Sequence, residues 1–292
     1  MSKGIDMNQL AILGPGLLGG SLALAVRARA PQCRVTVWAR REAAVQEVRD
    51  AGICDLASTD IAEVVAGADV VVLCVPIGVM PGLAQRLAPL VEPGALITDV
   101  GSVKGPVVDA LAPIFERAAR GCFVGSHPMA GSEQAGLTAA RADLFAGTVC
   151  LVTPHPGVAP ETVKAAEAFW QLVGCEVQTL SPSEHDAAIG LVSHLPHLIA
   201  SALVDFVCSQ NPAAVAFCGS GLRDTTRIAS GLPEMWTEIL ATNHAVLSSQ
   251  FEAFIARLQE VSRDIAGGND TKLKEFLTNA KTRRDRHIKR RN

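Results

Sequence analysis

Short apolar runs alternate with stretches of helical period through the first 180 residues of the chain. The runs fall at residues 10–13, 34–38, 69–75, 95–98 and 122–125 and are rich in Val, Ile and Leu. Strands that are apolar on both faces belong to a parallel sheet covered by helices on both sides. Two further runs, at 148–153 and 175–180, flank an expected helix at 161–173. From residue 183 onward long helical stretches dominate, Pro and Gly punctuate them near 211–221 and 231–233, and no clear strand follows. The pattern predicts a sheet domain over 1–181, a helical domain over 182–280 and a tail over 281–292.

The first run opens directly onto Gly14-Pro15-Gly16-Leu17-Leu18-Gly19. A helix expected over 21–29 and the strand at 34–38 complete a βαβ unit around this G-x-G-x-x-G pattern. In such a turn the free N–H groups and positive dipole of the helix receive a pyrophosphate, and a Cβ at Gly14 or Gly16 would block the approach. Gly19 lets helix and sheet pack closely. Gly14, Gly16 and Gly19, with Leu17 and Leu18 between them, therefore form the expected cofactor-binding turn of an α/β Rossmann-type domain with a mainly parallel sheet. After the second strand, an Asp or Glu normally accepts hydrogen bonds from the ribose hydroxyls of NAD. Here the chain has Ala39-Arg40-Arg41. Two guanidinium groups suit a 2′-phosphate, so NADP is expected in preference to NAD. The plainer reading, a solvated helix start, has against it that a positive pair at a helix N-terminus opposes the dipole.

Composition narrows the class. The 292 residues exceed one typical domain, and 49% hydrophobic content suffices for sizeable cores. No apolar run is read as reaching the roughly 18 residues of a membrane span, and residues 1–8 lack the apolar core of a signal peptide. A cytoplasmic protein with no membrane partner is expected. Net charge is −3, but 281–291 holds seven basic residues against Asp285, which leaves −9 for the rest of the chain. An acidic body argues against nucleic acid as a partner. The eight cysteines, at 33, 54, 74, 122, 150, 175, 208 and 218, form no Cys-x-x-Cys pair and read as small buried hydrophobes with free thiols. No cluster shows metal-ligand spacing.

In open α/β sheets chemistry collects beyond the carboxyl ends of the strands. Those ends carry Cys74-Val75-Pro76, then Asp99-Val100-Gly101-Ser102-Val103-Lys104, then Gly125-Ser126-His127-Pro128. A hydroxyl, a lysine and a histidine are thus expected around the place where a nicotinamide would lie, with Val75 and Pro76 on the cofactor side. An imidazole there can take the proton of an alcohol as the carbon is oxidised. A histidine merely packed in a turn before proline is the alternative.

The segment 125–133, Gly-Ser-His-Pro-Met-Ala-Gly-Ser-Glu, resembles the hallmark of the prephenate/arogenate dehydrogenase family of tyrosine biosynthesis. The serine loop at 99–104, Ser193-His194-Leu195-Pro196-His197, Arg223-Asp224-Thr225-Thr226-Arg227 and Pro233-Glu234-Met235-Trp236 resemble further family segments in the same order, and the likeness spans roughly residues 8–280. The resemblance implies a Rossmann domain followed by an all-helical dimerisation domain, and so a homodimer. It implies NAD(P)-dependent oxidative decarboxylation of prephenate or arogenate, a cyclohexadienol with a ring carboxylate and a 4-hydroxyl. By the same resemblance His127 is the base or hydrogen-bond partner of the 4-hydroxyl, Ser102 holds the same oxygen and the cofactor side of the site, Arg227 grips a carboxylate, His194 lines the site and Trp236 contacts the substrate side chain. His197 reads as support, and His155, His185, His244 and His287 have no assigned role. Without the resemblance, Arg223 and Arg227 read as a surface pair on one helix face with Asp224 and Glu133 as partners. A β-hydroxyacid-type dehydrogenase and a non-catalytic NADP-sensing regulator are the alternatives. The first would carry a catalytic lysine in the helical domain, and the second has no need of a base and a carboxylate clamp.

Overall fold

The computed structural model describes residues 7–131 and 134–288. Eight strands form one sheet: β1 (Gln9–Leu13), β2 (Arg34–Trp38), β3 (Leu56–Ser58), β4 (Val70–Leu73), β5 (Leu96–Asp99), β6 (Cys122–Pro128), β7 (Val149–Thr153) and β8 (Glu176–Thr179). The helices between them are α1 (Leu17–Arg29), α2 (Glu42–Ala51), α3 (Ile61–Val65), α4 (Met80–Leu87), α5 (Gly105–Ala118) and α6 (Pro160–Leu172). After the sheet come α7 (Pro182–Ile189), α8 (Leu195–Gln210), α9 (Ser220–Thr226), α10 (Pro233–Thr242), α11 (His244–Ala266) and α12 (Asp270–His287).

Strand order is β3-β2-β1-β4-β5-β6-β7-β8. Its first six positions have the 3-2-1-4-5-6 order whose direction reverses between β1 and β4, where a crevice opens beyond the strand ends. Alternate residues of β1 enter two different cores. Leu10 and Ile12 join α1 and, from α6, Phe169 and Trp170; Ala11 and Leu13 join α3, α4 and α5. That double burial is why the strands read as unbroken apolar runs.

The structure adds two things to the expected pattern. The short strand β3 joins the sheet beside β2. Its three residues are too few to show a period. In addition, β6 pairs with β7 antiparallel, Gly125 against Thr153 and His127 against Leu151. Because Thr98 of β5 faces Val124, the last residues of β6 overrun the end of β5, and this extension carries His127 past the carboxyl edge.

Compactness divides the chain at residue 244: one unit ends at His244 and another starts at Ala245. The second unit consists of the body of α11 and α12, where the Arg257 guanidinium lies 5.0 Å over the Phe276 ring. In the first unit α7 and α8 join through a π-turn at Gly190–His194. The resulting stretch, Pro182–Gln210, is long and apolar enough to cross a membrane by length and composition, which corrects the expectation that no run reaches that length. Asp186, His185, His194 and His197 on it are all buried, and they form the polar cluster described below.

Candidate active site

The turn after β1 shows why each glycine is there. Gly14 has φ +112°, and a Cβ on it would sit 2.4 Å from the Cys74 carbonyl oxygen. A Cβ on Gly19 would sit 2.0 Å from the Gly14 carbonyl oxygen. Both glycines serve contacts inside the protein. At Gly16 alone a Cβ would meet nothing within 4 Å. Gly16 is also the N-cap of α1, with no side-chain cap and no acidic residue in the first turn, so the helix leaves its N–H groups open beside that space. A Cβ at Gly14 would meet the chain just after β4, whereas Gly16 borders open space. Leu17 and Leu18 begin α1 half-buried, and Val75 comes against Gly14 from the end of β4, with Pro76 exposed beside it. Ala39 is buried, whereas Arg40 and Arg41 are exposed, Arg41 as the N-cap of α2. These features fit a dinucleotide: donors for its pyrophosphate, room over Gly16 and two cations after β2.

Beyond β5 the chain builds a dry ionic lock. The Lys104 ammonium is fully buried against the Asp99 carboxylate and also donates to the Ser126 carbonyl at 2.9 Å. Asp99 in turn accepts from the Ser126 and Gly101 N–H groups at 3.0 and 2.8 Å. Burial pulls the Lys104 pKa below its ordinary value, and Asp99 opposes that shift. The lysine expected among the groups at this edge is fully buried, and through Asp99 and the Ser126 carbonyl it anchors β6 to the serine loop. Ser102, two residues before it, stays half-buried at the carboxyl edge.

Next to the lock lies a row of imidazoles. His127 Nδ1 is 2.9 Å from His185 Nε2, and His185 Nδ1 is 2.8 Å from Asp186 Oδ1. Asp186 also accepts from the backbone N–H groups of Lys104 and Gly105, each at 2.7 Å. Burial lowers the pKa of His127 well below its ordinary value, and the neighbouring His185, Lys104 and His194 lower it further. His127 is therefore a neutral imidazole near pH 7, the form a base requires. His185 is shifted down too, by burial against the opposing pull of Asp186. His185, Asp186 and Asn243 were given no role in the sequence. The signal that places the first two is the Ser181/Glu184 capping box, which starts α7 just before them.

His194 is buried, with Nδ1 3.1 Å from the Asn243 amide nitrogen and the edge of Trp236 6.2 Å away between ring centroids. Burial brings its pKa down to about 4, and it adjoins the Ser102 backbone. His197 stacks on Trp236 at 3.5 Å between centroids and 8° between planes. A Cβ on Gly231 would lie 2.3 Å from the Trp236 ring nitrogen, so that glycine makes room for the stack. His197, Ser201, Gly231, Trp236 and Thr237 line a cleft of about 200 Å³ there. Arg227 is exposed and opens a 3₁₀ turn, Arg227–Ser230, just after α9 ends. Arg223 is exposed too, and Arg227, the C-cap of α9, keeps helical backbone angles, so the surface-pair reading stands beside the carboxylate clamp. Glu133, its other suggested ion-pair partner, and Ser132 lie outside the described residues. Among the described residues no group of three His, Cys, Asp or Glu side chains is placed to hold a metal ion. The thiols are free; Cys33, Cys150 and Cys175 are buried, but Cys208 is exposed, so burial does not hold for all eight.

An open helix N-terminus at the reversal of a doubly wound sheet, together with a buried histidine past the strand ends of that sheet, defines a Rossmann-type oxidoreductase. The comparisons narrow this further. The model of the prephenate dehydrogenase nucleotide-binding domain matches residues 22–179, and that of the prephenate dehydrogenase dimerization domain matches residues 181–279. The chain is 32% identical over 280 residues to cyclohexadienyl dehydrogenase of Zymomonas mobilis, covering 94% of each protein. The crystal structure of prephenate dehydrogenase from A. aeolicus in complex with hydroxyphenyl propionate and NAD+ superposes with a TM-score of 0.89 at 30% identity, over 97% of this chain and 99% of that one. Arogenate dehydrogenase from Synechocystis gives 0.83 at 25% identity, over 96% and 99%. The chain belongs to the prephenate dehydrogenase family.

Proposed function

We propose that the chain oxidises and decarboxylates prephenate, arogenate or both, as a homodimer in the cytoplasm, with NADP preferred over NAD. The observation that carries this reading is His127, buried beyond the strand ends with its Nδ1 2.9 Å from His185 Nε2. A bound nicotinamide supplies the hydride acceptor. His127 accepts the 4-hydroxyl proton as C4 is oxidised, and Ser102 hydrogen-bonds the same oxygen. The C–C bond to the ring carboxylate then breaks, CO2 leaves, the electron pair aromatises the ring, and His127 returns its proton to the phenol oxygen. Arg227 grips a carboxylate as a planar fork, His194 lines the cavity, and Trp236, held flat by His197, contacts the substrate side chain.

Gly14, Gly16, Leu17, Leu18, Gly19, Val75, Pro76 and Ser102 bind the dinucleotide, and Arg40 and Arg41 after Ala39 hold its 2′-phosphate. Their exposure after β2, without a carboxylate at positions 39–41, supports NADP. The domain boundary is set at 181/182, between β8 and α7, and the basic stretch from 281 begins within the last part of α12. Exposed apolar side chains on the helical part, among them Val192, Phe206 and Phe217, support a second copy as the partner.

The test is to mix protein and NADP with prephenate or arogenate and follow reduced cofactor by absorbance; no reduction with either substrate would end the reading. Run with both cofactors, the assay is expected to favour NADP by about 1.5 to 3 kcal/mol in transition-state stabilisation, one charge-assisted hydrogen bond or more. Equal kcat/KM would remove Arg40 and Arg41 from that role.

A further inference from the structure

Histidine has two ring nitrogens, and a neutral ring can act as a base only through the one without hydrogen. Which nitrogen that is in His127 follows from its neighbours, starting at Asp186. Both oxygens of this carboxylate accept from backbone N–H groups, Oδ1 from Lys104 and Oδ2 from Gly105, and backbone donors cannot reverse. Although burial pushes the Asp186 carboxyl upward, hydrogen bonds from His185, Lys104 and Gly105 hold it below its ordinary value. Asp186 is therefore an acceptor only. His185 Nδ1, 2.8 Å from Oδ1, must carry its hydrogen. His185 has no exposed side-chain surface and is neutral, so its Nε2 has a lone pair and accepts. Among the described residues the donor to that lone pair, at 2.9 Å, is His127 Nδ1–H.

We propose that His185 and Asp186 are positioning residues that hold His127 in its Nδ1–H form, leaving the lone pair on Nε2 for the substrate's hydroxyl proton. The proposal rests on the reading of His127 as the base. The proton moves from the hydroxyl oxygen to His127 Nε2 and no further. His127 then carries both N–H groups, and its Nδ1–H bond to His185 strengthens, with the Asp186 carboxylate behind it. This is the part a buried aspartate plays behind the histidine of a serine protease, with one imidazole inserted between them. The rigid end of the row is the start of α5, since the two N–H groups that fix Asp186 belong to the residues at which that helix begins. Other charged or titratable groups face the row: Lys104 and His194 toward His127, and Lys104 and Asp99 toward His185. None of them is a hydrogen-bond partner of either ring.

The test joins kinetics to a direct reading of the rings in the full chain. His185→Phe keeps a flat ring but removes the acceptor, and kcat is expected to fall roughly 10²-fold, with KM and cofactor Kd changed little, because only proton transfer is affected. His185→Gln offers an amide oxygen in the region of the lost Nε2 and should recover about tenfold of that loss, since it again accepts from Nδ1–H. A merely packed histidine would instead show Phe tolerated at least as well as Gln, and that ranking overturns the proposal. If His185→Phe fails to fold, the unsubstituted protein decides. Long-range 1H–15N correlations on 15N-histidine-labelled chain should show His127 Nε2 as a pyridine-type nitrogen and Nδ1 as protonated, and the opposite assignment overturns the proposal. His127→Asn, assayed in parallel, separates the two failures: full turnover there removes the base itself, whereas lost turnover there with full turnover in His185→Phe removes only the positioning row.

Discussion

The turn around Gly14–Gly16–Gly19 and the row His127–His185–Asp186 are both at the carboxyl edge of one sheet, yet they are built in opposite ways. The turn is a local object: six consecutive residues, one positive φ, and a helix N-terminus that follows directly. The row is assembled across the chain, His127 meeting His185 from 58 residues away and Asp186 meeting Lys104 from 82. A locally built site can be written as a short motif, because each residue answers to a neighbour in sequence. A site built from distant elements leaves only isolated polar letters in apolar surroundings. His185 illustrates the second case: Asp186 beside it in sequence is one partner, but the other, His127, comes from β6, which no local spacing announces.

The comparison can be broken most severely at His127. If the row is the acid–base device, His127→Asn should lower kcat by about 10² to 10⁴ while cofactor affinity stays nearly unchanged. Steady-state kinetics with a separate cofactor titration check it, and a parallel loss of both would make the two regions one object. The next effect is expected at Arg227, on the helical side. Arg227→Ala should weaken substrate binding by about 2 to 5 kcal/mol, the cost of stripping a partner from a charge pair that the bound substrate buries. An exposed surface pair would instead change stability by about 1 kcal/mol at most and leave KM alone.

Within the turn, a pair of variants sharpens the contrast between internal and outward glycines. Gly14→Ala should cost roughly 1–3 kcal/mol of stability for the positive φ, with the clash against the Cys74 carbonyl added. Gly16→Ala should leave stability within about 0.5 kcal/mol, as for a surface substitution, and weaken the dinucleotide. Thermal melts and cofactor titration of both proteins test this; a Gly16 variant that binds normally would detach the open space from the cofactor.

The smallest effect near neutrality is a pH dependence confined to the histidine region. His127, His185, His194 and His197 all have pKa values lowered in the folded chain, burial being the largest cause for each. The unfolded chain, with histidines near 6.5, therefore binds protons that the folded chain refuses. Stability should be flat above about pH 7 and fall as pH drops below 6.5, down to the folded values, about 4 for His194. Melting temperature measured from pH 8 to 5 should follow that course, and replacing His194 by Asn should flatten it.

The sequence by itself determined the doubly wound sheet, the change to helices after residue 181, the glycine turn after β1 and the family, since periodicity, glycine spacing and contiguous motifs are properties of neighbouring residues. It also marked Ser102, His127, His194, Arg227 and Trp236, each within such a motif. Tertiary structure alone decided what those residues touch. It turned Lys104 inward onto Asp99, joined β6 to an antiparallel neighbour, set His197 flat on Trp236, and placed His185 and Asp186 behind His127. The physical reason is desolvation. A buried polar group must find its partner wherever the fold brings one, so the partner is set by the packing of whole helices and strands and has no fixed spacing along the chain.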